Sequence, residues 1–259
     1  APVVQAAQAF LASLRDDQRA HATFPLDTDW WRRWSNIHPL VMRHGLAVAQ
    51  MDPAQAELAF GLLRASLSAP GFELARDVMR LNETVAEMTG KFDEYGERFY
   101  WLSVMGTPSE TEPWGWQVDG HHLIINYVVV GDQVTMTPAF LGSEPVLARD
   151  GKYAGTRVFG SEEEQGLAFM QNLTDAQREV AVVGEELPPD VFTTAFRDNY
   201  ELRYEGIRYS DLTPTQQRDL LTLIKVYTGR LREGHDQVRF DEVKAHLDET
   251  YFEIGRAHV

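Results

Sequence analysis

The 259-residue chain contains no cysteine, which excludes disulfides, thiolate metal sites and cysteine nucleophiles. Lysine is scarce as well, four residues against twenty arginines, a bias that reads as GC-rich coding rather than as function. No basic cluster longer than Arg32-Arg33 offsets a formal charge of −15, so a nucleic-acid partner is not expected, because its phosphates would be repelled. Long apolar runs are missing: Leu123 to Val130 is interrupted by Asn126 and falls far short of the ~20 residues that span a bilayer. The phosphate-cradling glycine loop, the Gly-x-Ser-x-Gly elbow and the His-Glu-x-x-His zinc motif are absent too. "GKYAGT" at Gly151 lacks the Walker spacing and reads as a surface turn. The chemistry is left to His, Asp/Glu, Ser/Thr, Tyr and Arg. Cysteine avoidance and a start at Ala1-Pro2 without an initiator Met fit an exported protein, periplasmic or extracellular.

With 44% hydrophobic and 24% charged residues, the chain is long enough for one substantial core, and a single domain over residues 1–252 is expected. Helix starts are marked by caps. "MDPAQ" at Met51, "LTDAQ" at Leu173 and "LTPTQ" at Leu212 each place Asp or Thr at the N-cap with Gln three residues on. In two of them Pro occupies the first helical position. The segments after these starts match one another at no fixed period, so the starts read as punctuation and not as an internal repeat. Ser161 to Glu164 offers a fourth capping box. Leu74, Val78, Leu81, Val85 and Met88 form a helical stripe ending at Gly90, and Leu220, Ile224, Tyr227 and Leu231 form another. Helices are expected over 3–19, 53–67, 72–89, 161–172, 174–182, 214–230 and 236–248. "LPPD" at Leu187 and residues 198–210 read as loop.

The middle of the chain is rich in β-branched and aromatic residues. Residues 98–105, 114–118, 121–130 and 133–139 read as strands, the last two joined by Gly131-Asp132 as a tight hairpin. Strands that run consecutively between helical segments predict an α+β fold, a central antiparallel sheet flanked by N-terminal and C-terminal helices.

Within this sheet lies "PWGWQVDGHHLIINY", Pro113 to Tyr127. Adjacent histidines on a strand point to opposite faces. One face then carries Asp119, His121, Leu123, Ile125 and Tyr127; the other carries His122, Ile124, Asn126 and Val128, joined by Trp114 and Trp116 if they continue the strand. Asp119 is placed to orient the His121 imidazole, the arrangement used by metal ligands and general bases. Alternatively His122, Asn126 and the tryptophans form a half-polar concave face for a small ligand. The plainer reading makes one histidine a hydrogen-bonded core residue and the other exposed. His38 and His44 sit in "NIHPLVMRHGL" before the Asp52 cap and read as structural or site-lining. The sequons at Asn82 and Asn172 are short enough to arise by chance.

Gly106-Thr107-Pro108-Ser109, Pro113-Trp114-Gly115-Trp116, Gly120-His121-His122-Leu123, Asn126, Thr137-Pro138, Phe140, Gly142 and Pro145 together resemble the signature of the bacterial and fungal family called domain of unknown function 3500. Looser similarity covers Arg43 to Ser68 and Leu173 to Leu231. The resemblance implies frequent export and a focus on the "GHH" stretch; no settled activity comes with it. Similar proteins continue beyond Val243 to Asp248 with further strands and a His-x-His pair. The chain is therefore expected to be truncated at its C-terminus, with residues 253–259 a non-native tail. One codon spelling of Ile254 to Val259 is that of a sequencing adapter, so this tail is expected to be exposed and without ladder hydrogen bonds. Late histidines beside His121 or His122 would make a three-nitrogen site for Zn, Cu or Fe.

The expected function is an exported, metal-assisted enzyme acting on a small molecule. His121, His122 and Asp119 would do the chemistry, with both histidines as metal ligands, and Trp114, Trp116, Asn126 and Arg43 would bind the ligand. At least one histidine should then lie at a pocket lined by Trp114 or Trp116 and Asn126, with Arg43 or the Gly106 to Ser109 turn at its rim. The competing class is a non-catalytic secreted or envelope-associated domain in which the tryptophans stack a small molecule.

Overall fold

The computed structural model describes residues 1–37, 43–184, 195–197 and 200–255. The chain divides into two compact units, Ala1–Val158 and Phe159–Val259. His38 and the "LPPD" segment lie outside the described residues.

In the first unit, α1 (Pro2–Ser13) and α2 (Asp16–Ala22) replace the single helix expected over 3–19. Leu14 is extended between them, held there because the Arg19 guanidinium donates to its carbonyl (3.2 Å). α3 (Pro53–Ser66) starts on the expected Asp52 capping box, with Gln55 N donating to Asp52 Oδ1 (2.9 Å). α4 (Ala69–Thr89) is capped by Ser68 and ends at Gly90 in the left-handed region. Of the expected stripe Val78 and Leu81 are buried, Leu74 and Val85 half-buried and Met88 exposed, and the buried face also takes in Phe72, Ala75, Met79, Asn82 and Ala86.

The sheet contains β1 (Thr23–Phe24), β2 (Leu46–Ala47), β3 (Tyr100–Met105), β4 (Trp114–Gly120), β5 (Leu123–Val130), β6 (Gln133–Thr135) and β7 (Ala139–Leu141). Its order is β1-β3-β4-β5-β6, with β2 also pairing β3 and β7 also pairing β5. The α+β class holds, but the sheet is mixed and not strictly antiparallel, because β1 runs parallel to β3. That strand arrives directly from α2 instead of from a hairpin, which frees its direction.

β4 reads W-G-W-Q-V-D-G, and alternation sorts it cleanly. Trp114, Trp116 and Val118 share a face with Leu102, Val104, Ile125, Tyr127 and Val129, all buried. Trp116 stacks on Tyr127, and its indole N–H donates to Ser66 Oγ at the end of α3 (3.1 Å). The other face presents Ser103, Gly115, Gln117, Asp119 and Asn126 to the segment that includes Trp30, Trp31 and Ser35. A Cβ on Gly115 would lie 2.8 Å from the Trp31 ring.

The second unit contains α5 (Gly160–Asn172), α6 (Asp175–Ala181), β8 (Ile207–Arg208), α7 (Pro214–Thr228), α8 (His235–Ala245) and β9 (Tyr251–Phe252). β8 falls within the stretch expected to be loop. α5 starts before Ser161, so the Ser161 to Glu164 box caps nothing. Its apolar cluster gathers Phe169, Met170, Leu173, Ala181, Ile207, Leu212, Leu220 and Leu223, with Phe252 and Ile254 packed against it. Ile254 N donates to Ala181 O (2.9 Å), and Val183 N donates to Ile254 O (3.0 Å). The expectation that residues from 253 onward make no ladder bonds therefore fails at Ile254, whose apolar side chain draws the backbone into the core and obliges its polar groups to pair. Residues 256–259 lie outside the described residues.

The two units repeat one frame, which the reading of the caps as mere punctuation missed. Ala9 to Ala22, "AFLASLRDDQRAHA", matches Ala168 to Ala181, "AFMQNLTDAQREVA", at Ala, Phe, Leu, Asp, Gln, Arg and Ala. Gly45, Pro53 and Gln55 correspond to Gly206, Pro214 and Gln216 after a spacing two residues longer in the second copy, which hides the match from any search at fixed period.

Hydrogen bonding repeats with the letters. Gln18 and Gln55 exchange amide bonds (3.1 and 2.8 Å), and their N–H groups also reach Gln50 O and Ser13 O. Gln177 and Gln216 exchange the same bonds (3.1 and 2.8 Å) and reach Asp211 O and Asn172 O. Each glutamine Oε1 also accepts the N–H of its helix's N-cap residue, so the amides are fully used. Gly45 and Gly206 both have φ near +90° (+92° and +87°), and a Cβ on either would strike the neighbouring strand at 2.4 or 2.3 Å. Pairing repeats as well: Leu46 opposes Leu102 and Thr23 runs parallel to Val104, as Ile207 opposes Phe252 and Val182 runs parallel to Ile254.

Candidate functional site

His121 and His122 do not lie on a strand. Gly120 pairs with Leu123, so the two histidines form the two-residue loop between β4 and β5. Their imidazoles do not point to opposite faces; the ring centroids are 4.1 Å apart. The turn is built around Tyr100, whose hydroxyl donates to His121 O (3.0 Å). Gly120 allows this, since a Cβ there would lie 2.2 Å from the tyrosine ring.

His122 has φ of 60°, in the left-handed region that favours glycine and that other residues, Asn, Asp and His foremost, enter uncommonly. It is pinned there by two backbone bonds: His122 N donates to Asn36 O (2.9 Å), and Gly142 N donates to His122 O (2.8 Å). Its ring faces Phe140 with near-parallel planes (6.5 Å between centroids). Both ring nitrogens are buried and make no hydrogen bond. Burial lowers the pKa of this imidazole against a small upward pull from Glu144. The neutral form, with a lone pair on one nitrogen, is favoured.

His121 is oriented by Asn82 and not by Asp119. Asn82 Nδ2 donates to Gly96 O (2.9 Å), which turns Oδ1 toward the imidazole, 2.9 Å from Nδ1. An amide oxygen can only accept, so Nδ1 carries a proton, and in the neutral ring the lone pair is on Nε2. Asn82 is buried on α4, and its place in a chance sequon concealed this role; the available signal was a polar residue inside an apolar helical face. On the other side the His121 ring meets Tyr95 (5.4 Å). Tyr95 lines a cleft of about 270 Å³ together with Glu83, Phe92, Glu97, Arg98 and Phe99.

The remaining candidates gather elsewhere. Trp114 and Trp116 are 0% exposed, and both indole N–H groups are bonded inside the protein, that of Trp114 to Ser109 O (2.9 Å). Asp119 pairs with Arg43 at 2.8 Å, with side chains 1% and 8% exposed. Arg43 also donates to Ser35 O and Ile37 O (both 2.7 Å), so it clamps a loop instead of forming a rim. Burial moves both partners toward neutrality: Asp119 is pushed up to about 7 by desolvation against the pull of Arg43, and Arg43 is lowered by the same cause.

Asn126 accepts from Gln117 Nε2 (2.6 Å) and donates to Pro138 O (3.1 Å). Beside it His44, 7% exposed, stacks on Trp30 (4.5 Å) and meets Phe24 edge-on. Burial drives its pKa down to about 4, with Gln117 only partly offsetting this. Asp119 Oδ2 on the same face is buried with no hydrogen bond among the described residues, and the buried His44 ring has the Gln117 side chain as its polar neighbour.

Among the described residues no three His, Asp or Glu side chains come together as a metal-ligand set, and no helix is long and apolar enough to cross a membrane. The described site thus offers two imidazole nitrogens and no third protein ligand. The family model described as protein of unknown function (DUF3500) matches residues 1–256. The chain belongs to that family. No curated protein and no solved structure matches it.

Proposed function

We propose that the protein is an enzyme acting on a small molecule at the His121–His122 turn, with the paired imidazoles serving as the protein ligands of a transition ion such as Zn, Cu or Fe. The observation that carries this reading is His122. A non-glycine residue held at positive φ, with both ring nitrogens buried and unpartnered, costs on the order of 1–3 kcal/mol for the backbone alone, and such expense concentrates at working sites. His121 supports it, because Asn82 fixes the tautomer that leaves Nε2 basic, the orienting arrangement typical of ligating histidines. A bound ion would supply Lewis-acid polarisation of the small molecule; the protein supplies neutral, oriented nitrogens on a rigid hairpin.

The test is titration of the purified chain with Co²⁺ and Cu²⁺, followed by their visible absorption, in the natural sequence and in His121→Gln and His122→Gly. A ligand-field band abolished by either substitution is the expected result. No band in the natural chain at neutral pH, or a band unchanged in both variants, would reject the imidazole pair as a metal site. The reading in which tryptophans stack a ligand draws no support from Trp114 and Trp116, both of which are buried.

A further inference from the structure

The cleft beside Tyr95 has no part in the metal reading and carries a chemistry of its own. We propose that it binds a small organic cation, a quaternary ammonium or a protonated alkylamine.

Three aromatic residues, Phe92, Tyr95 and Phe99, line it together with Glu83 and Glu97. An aromatic face presents negative quadrupole density, so rings grouped around a cavity attract a cation that cannot itself hydrogen-bond, and a nearby carboxylate adds direct attraction. The one cationic lining residue does not compete for this role. Arg98 donates from Nη2 to Val48 O and Met51 O (2.8 and 2.7 Å), which spends that end of its guanidinium on backbone carbonyls.

The two carboxylates are differently engaged. Glu97 is bonded to Lys152 (2.6 Å) and to the Tyr153 hydroxyl, so its charge is largely met. Glu83 accepts one backbone bond, from Glu97 N (3.0 Å), and among the described residues no Lys or Arg side chain pairs with it. Phe92 is 56% exposed, an apolar ring held at the mouth where a ligand would cover it. A volume of about 270 Å³ is below the usual range for drug-sized ligands, which suits a compact headgroup. The net charge of −15 draws cations toward the protein as a whole.

The test compares choline with 3,3-dimethyl-1-butanol, its uncharged carbon isostere, by calorimetric and NMR titration of the whole chain. Choline is expected to bind, with the isostere at least fivefold weaker, roughly what one exposed cation–π contact and a carboxylate supply. Glu83→Gln retains an acceptor for Glu97 N and should weaken choline roughly fivefold; Phe92→Leu, at an exposed position that folding does not need, should weaken it a few-fold. Binding of neither compound, equal binding of both, or choline binding unaffected by Glu83→Gln and Phe92→Leu would each overturn it.

Discussion

The two units share a frame and differ in what is built on it. In both, a helix carrying the Ala-Phe-x-x-x-Leu motif leads through a glutamine-capped helix to a short parallel pairing, and a left-handed glycine leads through a second glutamine-capped helix. In the first unit the strand Tyr100–Met105 then receives the β4–β5 hairpin on its other side. Among the described residues of the second, the equivalent Tyr251–Ile254 pairs only with β8 and Val182. The glutamine amides of the frame are fully hydrogen-bonded in both copies. The Arg43–Asp119 pair and the histidine turn belong to the added hairpin or to the segments laid over it. The proposed metal turn thus belongs to the addition and not to the duplicated part.

All six tryptophans lie in the first unit, so tryptophan fluorescence tracks that unit's unfolding, and far-UV circular dichroism tracks both. The largest effect is expected at the glutamines. Gln55→Ala removes an N-cap acceptor and leaves the buried Gln18 amide without its partner, a loss of ~3 kcal/mol. Gln216→Ala should cost less, ~1–2 kcal/mol, because its partner Gln177 is half-exposed and water can replace the lost bonds. Urea midpoints by the two probes check both values. Equal costs would show that burial does not distinguish the two copies of the frame.

The next effect distinguishes the added face by pH. His44 has its pKa depressed from 6.5 to about 4, so its contribution to stability is complete above pH 6.5 and is lost as pH falls toward 4, ~3 kcal/mol at most. Asp119 is raised from 3.8 to about 7; its contribution is present below 3.8 and is lost as pH rises through 7. Across the intervening window the slopes oppose and partly cancel. His44→Gln should unmask the Asp119 slope, moving the stability difference between pH 5 and pH 7 by ~2 kcal/mol in favour of pH 5. Urea unfolding by tryptophan fluorescence at both pH values decides it, and an unchanged difference would mean that His44 titrates normally.

The same division separates the legible parts of the chain from the rest. The caps of α3, α6 and α7 announced themselves because Asp or Thr followed by Gln at three residues has a local mechanism. The strands were legible from their β-branched and aromatic content, but their faces were not: running β4 and β5 together as one strand put Trp114 and Trp116 with Asn126, whereas the turn sets the tryptophans opposite Val129 and Tyr127 and Asn126 opposite Gln117. The repeat was not, because packing and the amide pairs hold only scattered positions and the intervening loop differs in length. The site was misread for a related reason. Gly120-His121-His122-Leu123 lacks the Asn-Gly or Asp-Gly signal of a two-residue hairpin, so the turn looked like strand; what makes the turn is Tyr100 beneath Gly120 and the backbone clamps on His122, all contributed from elsewhere in the chain. Asp119 was read as the partner of His121 from its spacing, whereas Arg43 takes the carboxylate and a helix supplies the orienting Asn82.

The smallest effect concerns that turn and has the opposite sign to the others. His122→Gly places at φ 60° the one residue with no penalty there, relieving ~1–2 kcal/mol of backbone strain, and it removes two buried ring nitrogens that make no hydrogen bond. Against this stand the lost contact with Phe140 and the entropy of a more flexible unfolded chain, ~0.5–1 kcal/mol. The net expectation is a gain of ~1 kcal/mol. His122→Ala keeps the strained backbone and loses the ring, so it should be no more stable than the natural chain. The order Gly above His, with Ala lowest or level with His, is read from tryptophan-monitored urea midpoints. A residue whose replacement stabilises the fold while abolishing metal binding is held in place by function; if His122→Gly instead destabilises as much as His122→Ala, the ring itself holds the hairpin together and the left-handed backbone stores no strain for function to explain.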